Sequence, residues 1–267
     1  MNKIEGVIFD WAGTTVDYGC FAPLHVFLKV FEDKGVSITF KEAREPMGLL
    51  KIEHIRAITE MPRVRKEWMN VHGNEPVEQD IQAMYSNFEK TLFASLADYT
   101  TPIPGVLDVV KQLRERNIKI GSTTGYTREM MDIVVKHAKE KGYSPDFYTT
   151  ADDVKQGRPF PWMCYYNAMK LGIYPMNRMI KIGDTTTDMK EGRNAGMWTV
   201  GVVLGSSTLG LSEEEVNQLE DSILKEKMKN ARLELLEAGA HYVIDSISEL
   251  VGLIDFIENK EEKLQHS

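Results

Sequence analysis

Three apolar runs in this chain stop at residues that can do chemistry. Val7-Ile8-Phe9, preceded by Ile4, ends at Asp10 and then turns through Gly13. Ile118-Lys119-Ile120-Gly121 ends in the hydroxyls of Ser122, Thr123 and Thr124, followed by Gly125. Met179-Ile180-Lys181-Ile182-Gly183 leads to Asp184 and Asp188, two carboxylates four positions apart. A short apolar run closed by a turn signal reads as a buried strand. In open α/β sheets, ligands bind outside the carboxyl ends of such strands. A carboxylate there can attack as a nucleophile or offer hard oxygen ligands to a cation such as magnesium. The ordinary alternative for each is a turn or a helix cap. Two basic residues stand near these runs. Arg158-Pro159 precedes a helical pattern between the second and third, and Lys51 is isolated within Pro46-Met47-Gly48-Leu49-Leu50-Lys51-Ile52-Glu53-His54.

The order of these four features, strand-end Asp, strand-end Thr, a basic residue, then Asp-x-x-x-Asp, resembles the haloacid dehalogenase superfamily of phosphoryl-transfer enzymes across the whole chain. Two departures narrow the resemblance. Phosphatases of that superfamily usually carry a second Asp two positions after the first, where this chain has Ala12. The isolated Lys51 lies in the insert after the first motif. Phe9-Asp10-Trp11-Ala12-Gly13-Thr14-Thr15-Val16-Asp17-Tyr18-Gly19 together with the Lys51 segment is similar to the phosphonatase branch. The resemblance implies magnesium-dependent hydrolysis of phosphonoacetaldehyde to acetaldehyde and phosphate, in aminoethylphosphonate breakdown. The superfamily leaves two alternatives, a phosphatase or phosphomutase acting on a C–O–P substrate and a non-catalytic phosphate-binding protein.

The same resemblance assigns roles. Asp10 is the implied nucleophile on phosphorus. Asp10, Asp184 and the backbone carbonyl of Ala12 are implied ligands of Mg2+, with Asp188 either a ligand or hydrogen-bonded around them. Thr124 and the amide of Gly125 are expected to hold phosphoryl oxygens, helped by the helix N-terminus beyond them. Arg158 is expected to offset phosphoryl charge; the superfamily usually has Lys there, so Lys155 stays open for the role. Lys51 decides the reaction type. Breaking a C–P bond leaves a carbanion, whereas an imine formed on the neighbouring aldehyde accepts the electrons and lets an enamine leave. That amine must be neutral, and Met47, Leu49, Leu50 and Ile52 can desolvate it. His54 is expected on the same helix face, handling protons. Met47, Cys20 and Tyr126 are candidate pocket residues, and core packing explains each of them equally well.

The elements that must position these groups follow from periodicity. Phe21–Lys34 reads as a helix with Leu24, Phe27, Leu28 and Phe31 on one face, and Gly35 as its stop. Thr39 with Glu42 makes a capping box. A helix is expected from about Leu50 to Glu60, and a longer one from Pro76 to Tyr99. No strand pattern appears between residues 20 and 100, so this stretch reads as an all-helical cap inserted into a doubly wound, mostly parallel, Rossmann-like α/β core formed by residues 1–19 and 101–267. Thr100–Gly105 is the return linker and Gly19-Cys20 the outgoing hinge. From residue 105 the alternation resumes, with helices at 106–113, 127–141, 161–171 and beyond Asp184. Strands follow at 147–150, 198–203 and 242–244. One long helix runs from the Ser212/Glu215 cap to about Ala238, and a last one contains Ile247, Leu250, Val251 and Ile254.

A net charge of −8 argues against nucleic acid or an anionic membrane as the main partner, so an anionic substrate needs local attraction. The two cysteines, Cys20 and Cys164, offer neither a disulfide framework nor zinc spacing, which fits a reducing cytoplasm. No stretch reaches the ~18 apolar residues of a membrane span. A homodimer through the cap helices is a further implication of the resemblance.

Overall fold

The computed structural model describes residues 3–265. Its centre is a six-stranded sheet in which every pairing is parallel. The strands are β1 (Gly6–Phe9), β2 (Lys119–Thr124), β3 (Phe147–Thr150), β4 (Met179–Gly183), β5 (Trp198–Val202) and β6 (Tyr242–Ile244). Their order is β3-β2-β1-β4-β5-β6. The apolar run Val7-Ile8-Phe9 therefore occupies the middle, with both of its faces covered. Val7 and Phe9 face one core with Val109, Leu113, Leu250 and Ile254, while Ile8 faces the other with Cys164, Ala168 and Met179. That alternation is the pleat expressing itself in the packing. On the Ile8 face lie α8 (Trp162–Leu171) and α9 (Thr186–Ala195); α6 (Val106–Glu115) and α12 (Leu250–Gln265) cover the Val7 face. With β1 and β4 adjacent, Asp10 and Asp184 emerge side by side at the carboxyl ends of the strands, where such sheets bind ligands.

Between residues 20 and 100 the chain makes only helices: α1 (Phe21–Glu32), α2 (Phe40–Arg44), α3 (Lys51–Glu60), α4 (Pro62–His72) and α5 (Glu78–Ser95), with a single 3-10 turn at Leu96–Tyr99. The capping box at Thr39 and Glu42 forms, each side chain bonding the other's backbone amide. Phe27 of α1 stacks on Phe88 of α5 at 4.4 Å between ring centres, giving the cap a core of its own. On α3, Ile55 and Ile58 are buried with Lys51 and His54. Thr59 joins that face because its hydroxyl donates to the Arg56 carbonyl at 2.7 Å.

Two elements differ from the sequence reading. Helix α4 was not anticipated; Pro62 opens it, Gly73 closes it in the left-handed region at φ 75°, and Val64 and Trp68 form its buried face. The single long helix from Ser212 to Ala238 is two, α10 (Glu213–Gln218) and α11 (Asp221–Glu237). The chain is extended at Leu219 and Glu220, and the bend brings Leu219 and Leu224 against Val203, Leu209, Leu211 and Ala231. No helix among the described residues is long and apolar enough to cross a membrane.

The passage from sheet to cap is tightly fixed. The Ile103 amide of the returning chain donates to Thr15, and the Gly19 amide of the outgoing chain donates to Gly205. Asp17 caps α1, accepting from the amides of Phe21 and Ala22 at 3.0 Å each. Burial pushes its carboxyl up to about 7, against the pull of those two amides and of Lys51 and Arg44. The native state then holds a proton that the unfolded chain releases near pH 4. This carboxyl's contribution to stability is full below the unfolded value and is lost as pH rises towards 7. At about 1.4 kcal/mol per pKa unit, the loss is ~4 kcal/mol. Urea unfolding of wild type and Asp17→Asn between pH 4.5 and 8 tests this. The difference between the two stability curves is expected to slope through that window, and parallel curves would refute the assignment.

Candidate active site

Asp10 leaves β1 with its amide bonded to the Ile182 carbonyl of β4, which fixes its backbone beside that strand. Its Oδ1 accepts from Arg158 Nη2 at 2.7 Å. No donor among the described residues reaches Oδ2, so one carboxylate oxygen remains available. Gly13, at φ 86°, makes the turn after it and lies so close to Asp184 that a Cβ would fall 2.3 Å from Asp184 Oδ2. The Ala12 carbonyl oxygen on this turn accepts no backbone hydrogen bond among the described residues.

Carboxylate oxygens of Asp10, Asp184 and Asp188 all lie within 4.8 Å of one another, and all three residues are buried. Asp184 is held by the Ser207 amide and hydroxyl at 2.7 Å each, and by the Thr14 hydroxyl at 3.3 Å. Burial, then the charges of Asp10 and Asp188, push its carboxyl well above the usual carboxylate range. A cluster of this kind, all oxygen donors and short of positive charge, suits a hard divalent cation. Asp188 is differently placed. Its Oδ1 meets Lys181 Nζ at 2.6 Å and Arg158 Nη1 at 3.1 Å, and its Oδ2 accepts from the Thr185 hydroxyl at 2.6 Å. Although burial opposes its charge, these cations hold its carboxyl below the usual range.

Arg158 is buried in the middle of the site, not a surface ion pair. Burial works against its charge, yet Asp10, Asp188 and Glu191 hold it well above the ordinary guanidinium value. Lys155, the alternative for its role, is exposed and does not line the cavity. Thr124 and Gly125 end β2 beside Asp10, and the Thr124 hydroxyl accepts from the Tyr126 amide at 3.1 Å. Helix α7 (Arg128–Glu140) starts just beyond, capped by Thr127.

The cap completes the enclosure. Lys51, Met47 and Gly48 line one small cavity together with Asp10, Ala12, Cys20, Thr124, Gly125, Tyr126, Arg158 and Thr185. Its free space is about 20 Å³, room for little more than a water molecule. A larger cleft of about 640 Å³ adjoins it, sharing Met47 and Thr185. Arg44 of α2 ties the cap down, donating to the carbonyls of Gly19, Ser207 and Gly210. A Cβ on Gly125 would lie 2.7 Å from the Leu49 carbonyl oxygen, so the cap loop rests directly on the turn after β2.

Lys51 Nζ has no hydrogen bond or ion pair among the described residues. It lies 5.0 Å from the ring centre of Tyr126 and 5.8 Å from that of Phe27. Burial, reinforced by the Arg158 charge, lowers its pKa, while Cys20 and Asp10 pull the other way. His54 does not line the cavity. Its ring stacks on Phe27 at 3.8 Å, with Nε2 2.8 Å from the Ala43 carbonyl oxygen. Burial, then the Lys51 charge, hold its pKa well below the ordinary imidazole value, so it is neutral at pH 7. The Cys20 thiol is likewise pushed well up by burial and neighbouring carboxylates.

Lys181, Glu191 and Ser207 belong to this site and were not singled out from the sequence. Lys181 and Glu191 are completely buried. A lysine in the middle of a strand otherwise buried on both faces was a signal for the first. The second lies three residues past Asp188, on the same helix face.

A family model of haloacid dehalogenase-like hydrolases matches residues 7–202. Proteins named phosphonoacetaldehyde hydrolase from Bacillus cereus (strain AH820) and Bacillus anthracis are each 64% identical over 259 residues, 97% of this chain and 98% of theirs. A crystal structure of a phosphonoacetaldehyde hydrolase-like protein from Oleispira antarctica superposes with a TM-score of 0.93 at 38% identity, covering 96% of this chain and 93% of that one. β-Phosphoglucomutase from Clostridium difficile shares the fold, with a TM-score of 0.62 at 22% identity, covering 85% of this chain and 97% of that one.

The crowded carboxylates predict a stabilising response to metal. Saturating Mg2+ at ~100 times its Kd contributes about 2.7 kcal/mol, which raises Tm by roughly 5–10 °C. In Asp184→Asn the metal-free protein should melt no lower than metal-free wild type, and the Mg2+ response should vanish. Thermal melts with Mg2+ and with EDTA read both, and a wild type indifferent to Mg2+ would refute the cation site.

Proposed function

The chain belongs to the haloacid dehalogenase-like hydrolases, in their phosphonoacetaldehyde hydrolase branch, and from that membership we propose that it hydrolyses the carbon–phosphorus bond of phosphonoacetaldehyde to acetaldehyde and phosphate. The observation that carries this reading is Lys51: a buried amine with no acidic partner, lining the same cavity as a strand-end carboxylate. Ala12 stands where a phosphatase would carry the acid for an alcohol leaving group, so a C–O–P substrate is the poorer fit.

Each residue has a part in this reaction. The neutral Lys51 amine adds to the aldehyde carbon, and loss of water with uptake of one proton from solvent leaves an iminium on Nζ. Asp10 Oδ2 attacks phosphorus. The C–P bond breaks, and its electron pair moves into the iminium, so an enamine departs in place of a carbanion. Arg158, the Thr124 hydroxyl and the Gly125 amide hold the phosphoryl oxygens as the charge shifts. Protonation of the enamine at carbon and addition of water release acetaldehyde and free Lys51. Water then cleaves the aspartyl-phosphate and restores Asp10. Asp10, the Ala12 carbonyl and Asp184 would hold Mg2+, which when bound would supply positive charge beside the phosphoryl oxygens. Asp188, already bonded to Lys181, Arg158 and Thr185, orients the ligands around that ion. Met47, Cys20 and Tyr126 shape the space around carbon, and neutral His54 backs Lys51 without adding charge.

The cap, residues 20–100, swings away to admit substrate, since the cavity is too small to fill from outside when closed. We place the protein in the cytoplasm, where its two free, buried cysteines suit a reducing medium, and in aminoethylphosphonate breakdown. A homodimer through the cap is supported by the exposed apolar side chains of Phe40, Met69, Val71 and Val77.

Borohydride added during turnover tests the proposal. It should fix the substrate-derived carbon irreversibly on Lys51, located by peptide mass, and Lys51→Arg should lose the adduct and more than about 10³-fold of turnover. Asp10→Ala should release no phosphate yet still be trapped at Lys51. Turnover without any adduct, or phosphate release from Asp10→Ala, would overturn the corresponding step.

A further inference from the structure

Residue 158 is an arginine where the superfamily usually has lysine. The exchange changes what the site must provide. A lysine presents one ammonium, whereas arginine presents a planar fork whose Nε and two Nη edges each need an acceptor when buried. All three are met here. Nη2 donates to Asp10 Oδ1 at 2.7 Å and to the Thr123 carbonyl and hydroxyl oxygens at 2.8 and 2.7 Å. Nη1 lies 3.1 Å from Asp188 Oδ1. Nε donates to Glu191 Oε2 at 2.9 Å.

Glu191 is a costly residue to keep in that place. It is fully buried on α9, and its Oε1 has no hydrogen-bond partner among the described residues. Its Oε2, by contrast, collects Arg158 Nε, the Thr123 hydroxyl at 3.0 Å and Lys181 Nζ at 3.5 Å. Lys181 bridges on to Asp188 at 2.6 Å. The two buried cations and two helix carboxylates thus form one closed network behind the Asp10 edge of the guanidinium. Among the described residues Glu191 is the acceptor that meets Nε, so without it the guanidinium is held at its two Nη groups alone, with the Asp188 carboxylate beside Nη1 free to compete for the fork.

We propose that Glu191 is a positioning residue for Arg158, fixing the rotation of the guanidinium so that Nη2 meets Asp10 and the phosphoryl oxygens delivered to it, with Lys181 keeping Asp188 from capturing the fork. This rests on the reading that a phosphoryl group is transferred to Asp10, and not on the carbon–phosphorus bond being the one that breaks.

The test is a double-mutant cycle on the full chain with Mg2+ present, reading calorimetric affinity for inorganic phosphate and kcat separately from KM. Glu191→Gln keeps the shape and removes the charge. It should weaken phosphate binding about 10-fold and lower kcat about 10- to 100-fold, the scale of lost outer partners at functional groups, with KM changing less. In the Arg158→Lys background, which has no Nε to hold, the same substitution should change either quantity by less than about 3-fold. Equal losses in both backgrounds, or no loss in either, would overturn the positioning role. Should Glu191→Gln fail to fold, Glu191→Asp retains the charge and withdraws the carboxylate by one methylene. It should show the same dependence on Arg158, and wild-type phosphate affinity and kcat in that variant would likewise overturn the proposal. A wild type that binds no phosphate with Mg2+ present would remove the phosphoryl reading itself and this inference with it, a result distinguishable from failure of Glu191 alone.

Discussion

Four buried carboxylates, two at the carboxyl ends of β1 and β4 and two on helix α9, set the terms for everything else in this molecule. Asp10, Asp184, Asp188 and Glu191 would repel one another out of the fold if left alone in a low-dielectric interior. Arg158 and Lys181 neutralise part of that charge, with Asp188 and Glu191 taking most of it. Among the described residues Asp184 receives only neutral donors, the Thr14 and Ser207 groups, and burial with the neighbouring carboxylates pushes its carboxyl well above the usual range. The deficit of positive charge therefore faces Asp10 and Asp184, on the side open to the cavity. The sheet order makes this possible, because only adjacent β1 and β4 bring the two strand-end aspartates together.

The cap solves a different electrostatic problem. The proposed chemistry needs a neutral amine, which cannot sit in water or be paired with a carboxylate, since both favour the ammonium. Lys51 avoids both. It starts α3, packed between the Phe27 and Tyr126 rings and served by no acceptor among the described residues. The ring of Tyr126 comes from the core and that of Phe27 from the cap, so this dry surrounding exists only when the two are closed on each other. Arg44 and the contact between Gly125 and Leu49 hold them so.

Much of this was legible in the chain because local signals and tertiary packing agree. Strand-end residues, the Thr39 and Thr127 caps and the glycine stops at Gly172 and Gly196 all lie where sequence rules put them. The helix break at Leu219 was not legible, since no proline or glycine lies between Glu213 and Ala238 and packing alone decides it. Helix α4 was legible in Pro62 and Gly73 but was passed over. In the site, the choice between Lys155 and Arg158 turned on a loop with no periodicity, where three positions separate an exposed side chain from a buried one. Glu191 and Lys181 lay outside the motif pattern, although both sit on elements whose buried faces the motifs had already fixed.

On the proposed chemistry, the two halves of the site are coupled through water. With the cap open, Lys51 is solvated and protonated, unable to attack an aldehyde. Closure strips that water, and burial then shifts the amine towards its neutral form while substrate is enclosed. The same closure brings Lys51 near Asp10 and Cys20, which favour the ammonium, and near Arg158, whose positive charge works against them and for the neutral amine. Phosphoryl binding and amine activation thus draw on a single guanidinium. An arginine suits that double duty better than a lysine, because its charge is not lost when buried and its fork is held from behind. The chain departs from its superfamily at residues 12, 51 and 158, and one requirement accounts for all three: electrons from carbon must be received by a dry amine and not by an acid.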